Sequence, residues 1–140
     1  MANYAFGRMH HLVYTSTATA PITEGSLRGQ LGHWQATNAR LGVTGVLLYS
    51  QGNVLQVLEG NSEVIHSLFA TIARDLRHRS ITKIADGPVL GRAFSDWSMR
   101  FRAVESADYD RFVQQIHSAP NHASSLAPLL ETFMASDPLD

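Results

Sequence analysis

Three polar side chains stand where the hydrophobic pattern calls for apolar ones: Tyr14, Asn38 and Gln56. Gln56 lies in Val54-Leu55-Gln56-Val57-Leu58, a strand-like run that is otherwise apolar on both faces. A primary amide carries two donor hydrogens and an acceptor oxygen. Leaving such groups unpaired in a core costs about 1–3 kcal/mol, so something polar is expected to meet Gln56 inside the protein. Tyr14 shares a strand face with Leu12 and Ser16, and Asn38 falls on the apolar stripe of a helix. Taken singly, each has an ordinary structural explanation: a buried phenol finds one carbonyl, and an asparagine near a helix end caps it. Taken together, they describe the lining of a site for a flat ligand with mixed donors and acceptors.

Other chemistry is thinly represented. The seven histidines show no HxxxH or CxxC-like spacing, so no metal site is expected. His10-His11 reads as an exposed pair at a strand start. No serine occupies a nucleophile elbow, and no glycine-rich phosphate loop occurs. Arg77, Arg79 and Lys83 read as a solvated basic turn.

The elements that must position the three polar residues follow from periodicity. His10 to Ser16 is a first strand, with Val13 facing away from Leu12 and Tyr14, and Thr17 to Pro21 is a loop of small residues. Thr23 caps a helix whose face is Leu27, Leu31, Trp34, Asn38 and Leu41, and Gly42 stops it. Val46 to Tyr49 and Val54 to Leu58 form a hairpin around Ser50-Gln51-Gly52-Asn53. Asn61 or Ser62 caps a second helix bearing Val64, Ile65, Leu68, Phe69 and Ile72. Ile81 to Ile84 and Val89-Leu90 read as a fourth strand interrupted at Asp86-Gly87-Pro88, and Trp97 to Phe101 as a fifth. The order β-α-β-β-α-β-β predicts an α+β, ferredoxin-like split βαβ sheet with two core helices on one face and an added edge strand. In that topology the first and third strands are central neighbours, so Tyr14 and Gln56 can meet. Ala107 to His117 and Ser124 to Ala135 predict two short C-terminal helices.

With 140 residues the chain suits one domain with a proper core. It has no apolar run of membrane-spanning length and no signal-type N-terminus, so a cytoplasmic protein without membrane association is expected. The absence of cysteine excludes disulfide and thiol chemistry. Up to Val104 there are ten Lys/Arg against six Asp/Glu, while from Glu105 onward six acids face only Arg111. A mildly basic body with an acidic tail does not call for nucleic acid.

The segments LVYTS, TNARLGVTGVLLYSQGNVLQVLEG, RDLRH and FSDWSM, in this order, closely resemble those of BLUF domains, the flavin-binding blue-light sensors. The resemblance runs from about His10 to Phe101. It implies a ferredoxin-like fold with FAD, or FMN or riboflavin, held between the two core helices. Tyr14 matches the family's photoactive tyrosine, Gln56 its switching glutamine and Asn38 the asparagine that hydrogen-bonds the flavin ring. Trp97 and Met99 match the pair that shifts near that glutamine. Ser16 matches a small polar position beside the ring, and Asp75, Arg77 and His78 lie toward the cofactor's outer parts. Thr37 departs from the family's usual asparagine or histidine, and Thr71 from longer polar or basic residues. The resemblance further implies electron and proton transfer from Tyr14 to the excited flavin, with Gln56 relaying the proton and ending rotated or tautomerised.

The expected division is a flavin-binding domain over residues 1–104 and a helical extension over residues 105–140. The stretch after Phe101 is too short for a cyclase or phosphodiesterase, so the chain is expected to be no enzyme. It is expected to signal through a downstream protein or as a homo-oligomer. Phe112, Ile116, Leu126, Leu129, Leu130 and Phe133 are expected to cap the bare sheet face or to form a subunit contact. Two rivals are an acylphosphatase-like enzyme on the same fold and a ligand-free assembly module. The first is disfavoured because Thr15 to Ile22 holds no basic residue for an anion loop.

Overall fold

The computed structural model describes residues 9–20, 23–94 and 98–118. Strand β1 (Met9–Ala18) runs past Ser16, because Thr17 pairs with Asn53 on one side and Arg79 on the other. The expected small-residue loop is shortened accordingly. Helix α1 (Glu24–Leu41) is capped by Thr23, whose hydroxyl accepts the Ser26 N–H at 3.0 Å, and stopped by Gly42. Leu27, Leu31 and Asn38 are buried along its stripe, but Leu41 is 36% exposed. The stripe ends at Asn38 because Gly42 ends the helix and Val43 takes over the core.

The hairpin joins β2 (Thr44–Ser50) to β3 (Asn53–Asn61). Gln51 and Gly52 both take positive φ, 49° and 90°, which is the turn that matches strand twist. Gly45 is required by crowding, since a Cβ there would lie 1.9 Å from the Val57 carbonyl oxygen of the paired strand. Asn61 caps helix α2 (Ser62–Ala73) by accepting from the N–H groups of Glu63 and Val64. Ile65 is fully buried on α2, whereas Val64, Leu68, Phe69 and Ile72 are only partly covered.

Strand β4 (His78–Pro88) corrects the expected interruption. Asp86, Gly87 and Pro88 stay in the strand opposite Leu12, His11 and His10. An edge strand has no second partner to lose a proline N–H to, so Pro88 is tolerated there. Val89-Leu90 falls outside the strand, with Leu90 fully exposed. Strand β5 (Arg100–Ala103) starts later than expected and runs parallel to β2, Phe101 opposite Leu47. Met99 and Phe101 are both buried, and Trp97 lies outside the described residues. Helix α3 (Ser106–Ser118) follows; the expected helix over Ser124 to Ala135 lies outside the described residues.

The sheet order is β4-β1-β3-β2-β5, with β1 and β3 central and antiparallel. The α+β ferredoxin-like arrangement is therefore present, with β5 as the added edge. Two cores result, one on each sheet face. Leu12, Tyr14, Leu47, Leu58, Met99 and Phe101 pack with the α1 and α2 residues Leu27, Leu31 and Ile65. On the other face, Val13, Val46, Leu48, Leu55 and Val57 pack with Phe94 and with Tyr109, Phe112 and Ile116 of α3.

Candidate flavin-type site between the helices and the sheet

Register is what makes the site. Tyr14 and Gln56 are direct cross-strand partners, so their side chains leave the sheet on the same face at the same level. Both are buried, and the Tyr14 hydroxyl donates to Gln56 Oε1. Gln56 Nε2 donates to Met99 Sδ at 3.4 Å. A thioether is a weak acceptor, so this buried amide nitrogen remains under-satisfied. Burial pushes the Tyr14 phenol well above its ordinary pKa, and the Asp75 charge pushes the same way, so the phenol holds its proton.

A cavity of about 310 Å³ opens beside this pair, within the size range of small-molecule sites. Tyr14, Ser16, Asn38, Gln56, Asp75, Arg77 and His78 all line it. Met99 reaches the site through Gln56. Leu27 and Trp34 of α1 and Leu68 and Ile72 of α2 supply apolar walls on two sides. The partial packing of α2 is the reason the space exists.

Asn38 donates through Nδ2 to the Ser98 carbonyl at 2.9 Å, which leaves a second N–H and its amide oxygen. One helical turn earlier, Gln35 Nε2 donates to the Met99 carbonyl at 2.8 Å. Two α1 amides thus hold the backbone entering β5. At the mouth, Arg77 binds both oxygens of Asp75, with Nη2 at 2.5 Å, and holds that carboxyl down to about 2. His78 Nε2 donates to the Ile72 carbonyl at 2.6 Å, so Nδ1 is free to accept from the Ser16 hydroxyl at 2.9 Å.

Gln30, His33, Trp34, Thr37 and Thr71 also line the cavity. Gln30, His33 and Thr37 recur at steps of three and four, a polar strip of α1 beside the stripe that carries Trp34 and Asn38. That spacing is the signal by which sequence reasoning could have found Gln30 and His33. Gln35 carries no such signal, since its role depends on where β5 lies. The expected exposure of His10-His11 is corrected: His11 is buried and His10 partly so, because β1 is flanked on both sides.

The donor set suits a flat heteroaromatic ring. Two buried amides with unused hydrogen-bonding capacity and a phenol face the interior, apolar side chains cover both flanks, and the charges gather at the mouth. The comparisons with known proteins agree with this chemistry. The family model for sensors of blue light using FAD matches residues 9–100. The alpha subunit of the photoactivated adenylate cyclase of Euglena gracilis is 35% identical over 95 residues, which is 66% of this chain and 9% of that relative. The chain thus spans only a small part of the length of such curated relatives. The dark-state structure of the BLUF protein BlrB has 27% identity and a TM-score of 0.70, covering 93% of this chain and 98% of that one. Klebsiella pneumoniae BlrP1 with FMN and cyclic diGMP has 27% identity and a TM-score of 0.67, covering 91% of this chain and 35% of that one. With a family model matched over well more than half of its residues, on the expected fold and around a tyrosine–glutamine pair at the cavity, the chain belongs to the BLUF family, the sensors of blue light using FAD.

Proposed function

We propose that this chain is a cytoplasmic blue-light photoreceptor that holds a flavin in the cavity between α1, α2 and the sheet. The single observation that carries the reading is the chain of contacts from Tyr14 to Gln56 to Met99, whose first two members line that cavity. Asn38 and Gln56 would hold the polar edge of the ring, Tyr14 and Ser16 would stand beside it, and Asp75, Arg77 and His78 would meet the outer part of the cofactor. FAD is the proposed form, following the family's description; FMN or riboflavin would use the same interior contacts.

The bound flavin would supply the light absorption and, once excited, the oxidising power. Tyr14 would pass its hydroxyl proton to Gln56 Oε1 while giving an electron to the ring, Gln56 would release a proton from Nε2 toward the ring, and with the return of electron and proton Tyr14 would again be a neutral phenol. The Gln56 amide can turn about its last torsion, a soft two-fold rotation. Nε2 then stands where Oε1 stood, and the phenol oxygen accepts where it formerly donated. The same turn removes the Nε2 contact to Met99 Sδ, so the segment leading into β5 feels the change. A local exchange of donors and acceptors becomes a signal only through such a movable neighbour.

Residues 1–104 would form the sensor and residues 105–140 the extension that carries its output. In this reading the chain performs no catalysis itself and acts on a downstream protein or through homo-oligomer contacts. Purified protein should be yellow, and blue light should shift its flavin absorption reversibly to the red. Tyr14→Phe should still bind flavin and lose that shift. A colourless protein would favour the ligand-free assembly module, and an intact shift in Tyr14→Phe would remove Tyr14 from the photoactive role.

A further inference from the structure

At the other end of β1 from the cavity mouth, three side chains from three elements converge: His10 from β1, His66 from α2 and Asp86 from β4. One ligand atom from each lies within 4.8 Å of the other two. We propose that His10, His66 and Asp86 form a binding site for a divalent transition-metal ion of the zinc type, distinct from the flavin cavity.

The ring nitrogens are already aimed for it. His10 Nε2 lies 2.6 Å and His66 Nε2 2.9 Å from the same oxygen, Asp86 Oδ1. Ligand atoms on a tetrahedral zinc with bonds of ~2.0–2.1 Å stand roughly 3.3 Å apart, so the His10 and His66 nitrogens would each move off Oδ1 by less than about 1 Å. The second ring nitrogen of His66 is fixed as well: Nδ1 lies 2.8 Å from the Ser62 carbonyl oxygen and 3.4 Å from the Ser62 hydroxyl. A metal-bound histidine usually donates its other N–H to a carbonyl in this way, which fixes the tautomer that leaves Nε2 for the ion. A cation between His66 Nε2 and Asp86 Oδ1 would take the place of the proton shared there and pair with the carboxylate directly. Lys83 Nζ holds the other oxygen, Oδ2, at 2.8 Å, as an outer partner that orients the carboxylate.

Two imidazoles and one carboxylate suit zinc and its neighbours rather than magnesium or calcium. Three protein ligands leave a coordination position for water, and the side chains are partly exposed, so an ion has a route in. A bound ion would tie the second turn of α2 to the ends of β1 and β4. Helix α2 also walls the cavity through Leu68 and Ile72.

The test is a calorimetric titration of Zn2+ into full-length, tag-free protein previously stripped with chelator, at pH 7.5 and again at pH 6. One equivalent should bind, more weakly at pH 6 because protons compete for the two imidazoles. Changing outer partners of a metal ligand costs roughly 10–100-fold, so His10→Ala and His66→Ala should each weaken binding about 100-fold or more. His117→Ala, on the exposed side of α3, should bind as the unaltered protein does. Circular dichroism confirms folding of each variant. Co2+ titration gives a second reading, since d–d bands beyond the flavin absorption report coordination directly and should vanish in the His66 variant. The proposal is overturned if Zn2+ does not saturate a single site, if affinity survives both histidine substitutions in folded protein, or if His117→Ala abolishes it.

Discussion

The two faces of the sheet are built from the same strands yet packed to different ends. Toward α3, Val13, Val46, Leu48, Leu55 and Val57 meet Phe94, Phe112 and Ile116 in a core of apolar side chains. Among the described residues its phenol, Tyr109, is satisfied by the Val54 carbonyl at 2.8 Å. Toward α1 and α2, the alternate residues of β1 and β3 include Tyr14, Ser16 and Gln56, and α2 stands off far enough to leave a cavity. A one-residue step along a strand changes faces, so Val13 and Tyr14, or Gln56 and Val57, belong to different environments while sharing one backbone. The comparison shows one face packed by apolar side chains around α3 and the other lined with polar groups around a cavity. A change at Gln56 is expected to reach β5 first, through its contact to Met99.

The sharpest way to break this comparison is to exchange one residue on each side. Gln56→Leu keeps volume but removes the rotatable amide, and the reversible red shift should be lost completely while flavin still binds. An unaltered light-minus-dark spectrum in that variant would remove the asymmetry between the faces. On the other side, Phe112→Ala should leave the light response in place and cost about 3–5 kcal/mol of stability, read by denaturant unfolding. A loss much below that range would show that α3 is only loosely seated. The two variants should thus separate function from stability.

Asn38→Ala tests the boundary between the faces and β5. It removes a buried hydrogen bond to Ser98 and the proposed ring contact together. At about 1–2 kcal/mol per buried bond, flavin affinity measured by titration should drop by roughly tenfold. Unchanged affinity would place the ring's polar contacts elsewhere. The smallest effect is expected at the mouth. Arg77 holds the Asp75 carboxyl down to about 2 from 3.8, so the ion pair's contribution is complete above about pH 4 and is lost as the pH falls toward 2. Asp75→Asn should remove that acid-side slope and cost less than ~1 kcal/mol at neutral pH, because the pair is largely in water. A larger loss, seen by thermal unfolding at pH 7, would make the mouth part of the rigid framework.

Much of this was legible in the linear chain. The two-residue period set which side chains of β1 and β3 share a face, the three-to-four period set the stripe of α1, and the capping residues Thr23, Gly42 and Asn61 act where local chemistry requires. These are short-range effects, so a window of a few residues contains their cause. The polar exceptions Tyr14, Asn38 and Gln56 were visible because they break such local patterns. The tertiary structure decided what depends on distant partners. Pro88 remains in a strand because β4 lies at an edge, Gln35 matters because β5 passes beside α1, and Leu41 is exposed because the core has moved on to Val43. His10, His66 and Asp86 carry no local signal, since their meeting exists only once β1, α2 and β4 have folded against one another. Local geometry fixes which way a side chain points, but only the closed sheet fixes what it meets.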